Sequence, residues 1–235
     1  MKVRIKFSKE GCMKYIGHLD TMRYFQKAIR RAGLPIAFTG GFSPHMILSF
    51  AAPLGVGITS SGEYFDMELT EELPTAQIRE RLDQVMAEGV RVRSARKVPE
   101  GKAGNAMALM AAADYRVQFR EGRTPDIPWQ ERILEFTAQD SIPVWKKTKK
   151  SEREVDIRPF IYDLHLEGAT ICMRLASASS NYTKPELVMD TFLKWMGLEP
   201  DPLLYLVHRE EIYTIREEEN RPVFLSLEEL GEEVE

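Results

Sequence analysis

Four cations and two histidines carry most of the chemistry that the first fifty residues could perform. Arg23, Lys27, Arg30 and Arg31 fall at offsets 0, 4, 7 and 8 and share one stripe of a helix. Like charges so arranged repel unless solvated or paired with an anion, and arginine is suited to forked contacts with phosphate. The alternatives are a solvated helix face or pairing with Asp66 and Glu68. His18 lies at the mouth of the same helix, with Asp20 at the expected N-cap, where free backbone N–H groups favour anions. Further on, Gly40-Gly41-Phe42-Ser43-Pro44-His45 offers close backbone approach at the glycines and a ring at Phe42 that can stack on a base. Convergence of His18 and His45 would form an acid–base pair of the kind that cleaves RNA without a metal. The alternatives are a satisfied loop histidine and an ordered turn. A second basic run, Lys146 and Lys147 followed by Thr148-Lys149-Lys150, sits beside Trp145 and is a candidate nucleic-acid contact or a soluble loop. Phosphate-loop, dinucleotide-binding, HExxH, CxxC and Ser/His/Asp patterns are absent from the sequence.

The elements that must position these residues follow from periodicity. Val3, Ile5 and Phe7 alternate with Arg4 and Lys6, which predicts a strand with one buried face. Met22, Phe25, Ile29 and Ala32 predict a helix over 20–32, stopped by Gly33 and Pro35. Strands are predicted over 35–39, continuing at 47–50, and over 63–69 and 90–98, with a helix over 75–86. This strand, helix, strand, strand, helix, strand order predicts an α+β fold of the ferredoxin-like (split βαβ) kind, an antiparallel sheet with both helices on one face and the other face free. Residues 114–216 repeat the theme. A strand at 115–119 precedes a helix at 128–139 and a strand from 144. A hairpin then turns at Glu167-Gly168, and a capping box, Thr183-Lys184-Pro185-Glu186, opens a further helix. One or two strands over 204–215 close the repeat. The expected organisation is two ferredoxin-like domains, 1–98 and 114–216, a linker over 99–113 and an acidic extension over 217–235.

The chain of 235 residues is 43% hydrophobic and 29% charged, which fits globular domains and excludes a wholly disordered or fibrous chain. Its longest apolar run, 106–113, is too short to span a bilayer, and the first residues lack a signal-peptide pattern, so a cytoplasmic protein with no membrane role is expected. The net charge of −4 hides a gradient. Residues 1–50 carry nine Lys/Arg against two Asp/Glu, whereas residues 201–235 carry three against eleven. The basic end suits a polyanion such as RNA; the acidic end reads as a solvated tail or as an internal competitor. Cys12 and Cys172 make no disulfide framework, no Cys/His pair has the close spacing of a structural zinc site, and two thiols cannot hold an iron–sulfur cluster. No metal and no resident cofactor are therefore expected.

His18-Leu19-Asp20, Arg30-Arg31, Gly33, Pro35, Gly41-Phe42-Ser43-Pro44-His45 and Ser49-Phe50 together resemble the hallmark of the radical SAM-linked family, a bacterial family of unknown function. Asp156-Ile157-Arg158-Pro159 and 183–186 resemble its second half, so the likeness runs over roughly residues 1–200. Where the family often carries Pro-Lys after the second histidine, this chain has Met46-Ile47, which weakens any lysine role at that loop. The resemblance implies a domain that occurs beside, or fused to, a radical SAM protein. At the level of fold alone, the arrangement also resembles the CRISPR repeat-processing endoribonucleases. The leading expectation is an accessory, RNA-binding subunit that recognises a substrate for a radical SAM partner, through Asp20, Arg23, Lys27, Arg30, Arg31, Phe42, Ser43, Lys146 and Lys147. The alternatives are a metal-independent ribonuclease or RNA-modifying enzyme using His18 and His45, and a structural adaptor that docks a protein.

Overall fold

The alternating N-terminal residues form β1 (Lys2–Lys9), followed by α1 (His18–Arg31), β2 (Leu48–Phe50), β3 (Thr59–Glu68), α2 (Thr75–Asp83), β4 (Val90–Lys97) and a one-turn helix, α3 (Ala106–Leu109). These come from a computed structural model that describes residues 1–101, 104–147, 152–219 and 221–235. The strands run in the order β4-β1-β3-β2 with every neighbour antiparallel. Val3, Ile5 and Phe7 of β1 face Phe25, Ala28 and Ile29 of α1 and Ile78 and Leu82 of α2 in one core. Its centre is aromatic: Phe7 meets Phe25 edge-on at 4.6 Å, and Phe25 lies 4.8 Å from Phe65.

α1 begins two residues before the expected cap. Gly17 is the N-cap, and Asp20 sits in the first turn, where its charge complements the helix dipole. The helix ends as its sequence predicts. Gly33 is left-handed (φ 59°), its N–H bonds to the Arg30 carbonyl, and the Leu34 N–H bonds back to Ile29. The strand expected over 35–39 reduces to isolated bridges at Ile36 and Phe38, because β2 already takes the edge of β3 from Phe65 to Met67.

The chain divides into two units, Met1–Ala111 with Arg209–Glu235, and Ala112–His208. The second unit holds β5 (Ala112–Phe119), α4 (Trp129–Thr137), β6 (Pro143–Lys147), β7 (Glu152–Asp156), β8 (Ile161–Glu167), β9 (Thr170–Ala176), α5 (Pro185–Trp195) and the first residues of β10 (Tyr205–Glu218). Its strands run β10-β5-β9-β8, while β6 and β7 form a separate hairpin. Trp129, Ile133 and Phe136 of α4 and Val188, Met189 and Phe192 of α5 are buried, with Phe136 and Phe192 5.4 Å apart. The expected turn at Gly168 is present (φ 62°). The expected capping box at 183–186 is not: Lys184 is the N-cap, and the Thr183 hydroxyl donates to the Asn181 carbonyl instead. β7 had no apolar alternation to announce it. Both units are mixed α and β, built on mainly antiparallel strands.

Two expectations are corrected in the first unit. First, β1 is buried on both faces, so that half of the sheet is not free. Arg4, 1% exposed, lies opposite Asp66 on β3 and grips it through Nε (2.8 Å) and a terminal nitrogen (3.1 Å). Arg4 also donates to the carbonyls of Leu227 and Gly104, and the Ala106 N–H donates to Asp66. Gly104 and Ala106, within the stretch expected as a linker, are thus docked on β1 and β3. Second, residues 217–235 are no peripheral extension; with 209–216 they belong to the first unit. β10 and β11 (Arg221–Ser226) pair antiparallel, and a turn at Leu227–Leu230 closes with a capping box between Ser226 and Glu229. Lys6 donates to Glu211 (2.6 Å) and to Glu228, Tyr64 donates to Glu211, and Glu232 bridges to Lys97. β10 comes so close to β3 that a Cβ at Gly62 would lie 2.5 Å from the Glu210 carbonyl oxygen, so only glycine fits there.

Asp66→Ala leaves Arg4 buried without its counter-ion, and we expect a loss of about 3–5 kcal/mol in urea-melt stability; a loss below about 1 kcal/mol would refute the central role of this pair. Burial pushes the Glu228 carboxyl up, but hydrogen bonds from Lys6 and Ser94 outweigh it and hold it below its ordinary value. A depressed folded pKa contributes stability above the unfolded value that is lost as pH falls through the folded one. Stability should therefore fall between about pH 5 and pH 3, and less steeply in Glu228→Gln, as urea melts across that range will test.

Candidate nucleic-acid interface

α1 turns Phe25, Ala28 and Ile29 inward, and the same periodicity leaves Arg23, Lys27, Arg30 and Arg31 exposed on its other side. Arg23 approaches Asp20 at 3.3 Å, but both side chains are 67% exposed, so the pair neutralises little. Arg31 donates to the Val85 carbonyl (3.1 Å). Lys27 and Arg30 make no ion pair among the described residues. Asp66 does not quench this stripe, because Arg4 and Lys2 hold it on the opposite side of the sheet's core. The basic N-terminal half thus divides in two. Lys2, Arg4 and Lys9 are buried and Lys6 is paired with Glu211 and Glu228, while the helix cations stay in water.

The glycine-rich loop presents a ring to solvent. Gly41 takes a left-handed conformation (φ 100°), and Phe42 stands fully exposed beside the exposed Ser43. The loop is closed at its base, where the Thr39 N–H donates to the His45 carbonyl (2.9 Å) and the His45 N–H donates to the Thr39 hydroxyl (3.2 Å). His45 Nδ1 lies 3.1 Å from that hydroxyl, which ties the imidazole into its own loop.

His18 has different surroundings. Its ring meets the Phe50 ring edge-on at 5.5 Å and lines a narrow cleft with Phe7, Lys9, Thr21, Leu54 and Glu63. The cleft, of about 10 Å³, has room for one water. His45 does not line it and is tied instead into its own loop.

Sequence reasoning missed the charges behind that cleft. Arg209, 1% exposed, grips Glu63 through Nε (2.8 Å) and a terminal nitrogen and reaches the Ala52 carbonyl. The Lys9 amine donates to the Ile16 carbonyl (2.6 Å); burial pulls its pKa down, Glu63 opposes that and Arg209 adds to it. Glu63 shares the inward register of Phe65 and Met67, and a carboxylate in an apolar register is the signal that could have exposed it.

In the second unit, Trp145 is 70% exposed on β6, opposite Glu154 of β7. Lys146 and Lys147 are placed on β6 by their backbone, but their side chains, with residues 148–151, lie outside the described residues. On the β8–β9 hairpin, His165 stands opposite Cys172. His165 Nδ1 lies 2.7 Å from Asp163, a hydrogen bond that raises the imidazole pKa. Glu167, held by Arg116 at 2.6 Å, is kept below its ordinary value by that bond. No short Cys/His spacing marks this cluster, because the pairing crosses the Gly168 turn.

A family model described as an uncharacterized protein conserved in bacteria (DUF2344) matches residues 2–185. No curated protein matches the chain. Among solved structures, a chain from a Cbf5-Nop10-Gar1 complex is similar at 10% identity and a TM-score of 0.49, over 89% of this chain and 48% of that one. This chain therefore spans about half the length of that relative. With more than two-thirds of its length matched by one family model, the chain belongs to the DUF2344 family of bacterial proteins.

Proposed function

We propose that this protein is an accessory subunit that binds RNA and presents it to a radical SAM protein. The observation that carries the RNA reading is the solvent face of α1, where Arg23, Lys27, Arg30 and Arg31 are exposed while the acidic C-terminal segment is engaged elsewhere, by Lys6 and Arg96. Phosphates would screen the mutual repulsion of these cations and add forked contacts at the arginines. Phe42, held out by a closed loop, offers an apolar face for a base, and Trp145 offers a second ring in the other unit. The strand orders β4-β1-β3-β2 and β10-β5-β9-β8 support reading each unit as a split βαβ domain. The radical SAM partner rests on the resemblance of the 18–50 motif. Two thiols, Cys12 and Cys172, are too few for an iron–sulfur cluster, so a cluster would come from the partner.

Filter binding of the full chain to bulk cellular RNA across a salt series tests this reading. Affinity should fall as salt rises, and the combined Arg23→Glu, Arg30→Glu, Arg31→Glu variant should reduce the log–log slope by about 2, at about 0.7 for each phosphate no longer neutralised. Absence of binding at low salt, or an unchanged slope in the variant, would sink the RNA reading. Phe42→Ala should weaken binding about 5- to 150-fold (about 1–3 kcal/mol) without moving the melting temperature, since the ring packs on nothing. Unaltered affinity in that variant would remove the loop from the interface.

A further inference from the structure

We propose that His165, Glu167 and Cys172 on the β8–β9 hairpin form a binding site for one zinc-class divalent cation, with Asp163 orienting the imidazole. His165 and Cys172 are cross-strand partners, so their side chains leave the same face of the sheet. Glu167 lies two residues beyond His165 on β8 and shares that face. A ring nitrogen of His165, a carboxylate oxygen of Glu167 and Cys172 Sγ all lie within 4.8 Å of one another. Tetrahedral zinc, with bonds of about 2.0–2.3 Å, holds its ligands about 3.3–3.8 Å apart. Closing the gap takes a shift of about 1 Å, within reach of rotations of the His165 and Glu167 side chains, which are 49% and 54% exposed.

The hydrogen bonds already present suit that role. Asp163 holds Nδ1 at 2.7 Å, which leaves Nε2 facing Glu167 Oε1 at 3.6 Å. A carboxylate on the far nitrogen of a ligating histidine is the usual outer support of a zinc site. Arg116 holds Glu167 by Oε2 (2.6 Å), so Oε1 is the oxygen turned inward. The donor set is one thiolate, one imidazole and one carboxylate oxygen. Thiolate and imidazole select zinc-class ions over magnesium or calcium, which take all-oxygen shells. Three protein ligands leave a fourth position for water. The charges close as well: the thiolate, Glu167 and Asp163 together balance the dication and Arg116. Binding releases the thiol proton and any proton on Nε2, so affinity rises with pH.

The test uses the full chain, stripped with chelator, titrated with Zn²⁺ against a chromophoric competitor and with Co²⁺ by absorbance. The expected result is one cation per chain, with a thiolate-to-cobalt charge-transfer band. His165→Gln and Glu167→Gln, both at exposed positions, should weaken binding at least about tenfold while leaving the thermal melt unchanged, and Asp163→Asn should weaken it about 10- to 100-fold. Cys172→Ser should abolish the band, and Cys12→Ser should not. Failure to bind one equivalent, equal affinity in His165→Gln and Glu167→Gln, or a band that disappears with Cys12 would each overturn the site. If Cys172→Ser does not fold, the two exposed variants decide the question.

Discussion

The first unit depends on the ion pair between Arg4 and Asp66. A guanidinium at 1% exposure and a carboxylate at 3% are tolerable only when each meets a partner and their remaining hydrogen-bonding groups are filled. Asp66 supplies two oxygens to Arg4, and the backbone at Leu227, Gly104 and Ala106 supplies the rest. Segments 62, 100 and 223 residues from Arg4 are thereby drawn to one point. Such a pair adds little net stability over a well-packed apolar substitute, but once present it penalises any arrangement that leaves one member alone. This is why the last 27 residues, Arg209–Glu235, belong to the body of the first unit.

The same logic sorts the charge gradient. On β1, Arg4 and Lys2 are met by Asp66 of β3, and Lys6 meets the C-terminal carboxylates Glu211 and Glu228 in a half-buried site, where screening by water is weak. Cations on α1 stay in solvent. A chain that carries a net charge of −4 can therefore present a basic helix face, because many of its carboxylates are engaged within the fold. Net charge alone would have argued against a polyanionic ligand, while the local distribution favours one.

The two units use their sheets differently. In the first, the face of β1 away from the helices is covered by residues 104–106 and 227–230, which removes it as a docking surface. In the second, Asp163, His165 and Glu167 of β8 remain exposed, and charged pairs such as Arg174 with Asp114 line the neighbouring strands. Chemistry on a sheet face is set by register, since a shift of one residue sends every side chain to the opposite side.

Local rules made several elements legible. The inward positions of α1 recur every three to four residues, and Gly33 with Pro35 ends the helix, so its span was readable to within two residues. The β8–β9 hairpin declared itself by alternation around Gly168. The exposure of Arg23, Lys27, Arg30 and Arg31 followed from helical geometry once Phe25 and Ile29 were buried. Pattern reading reports only whether a side chain is polar, however, and takes polar to mean solvent-facing. It therefore assigned Arg4 and Lys6 to water, overlooked Glu63 and left β10 as one or two short strands ending at 215. The helices, the hairpin and the cationic stripe were already written in the order of residues, because each arises between groups a few positions apart. Which charges are internal, how the C-terminal segment completes the first unit and where His165 meets Cys172 emerged with the folded chain. These depend on pairing and register between segments whose local patterns carry no record of one another.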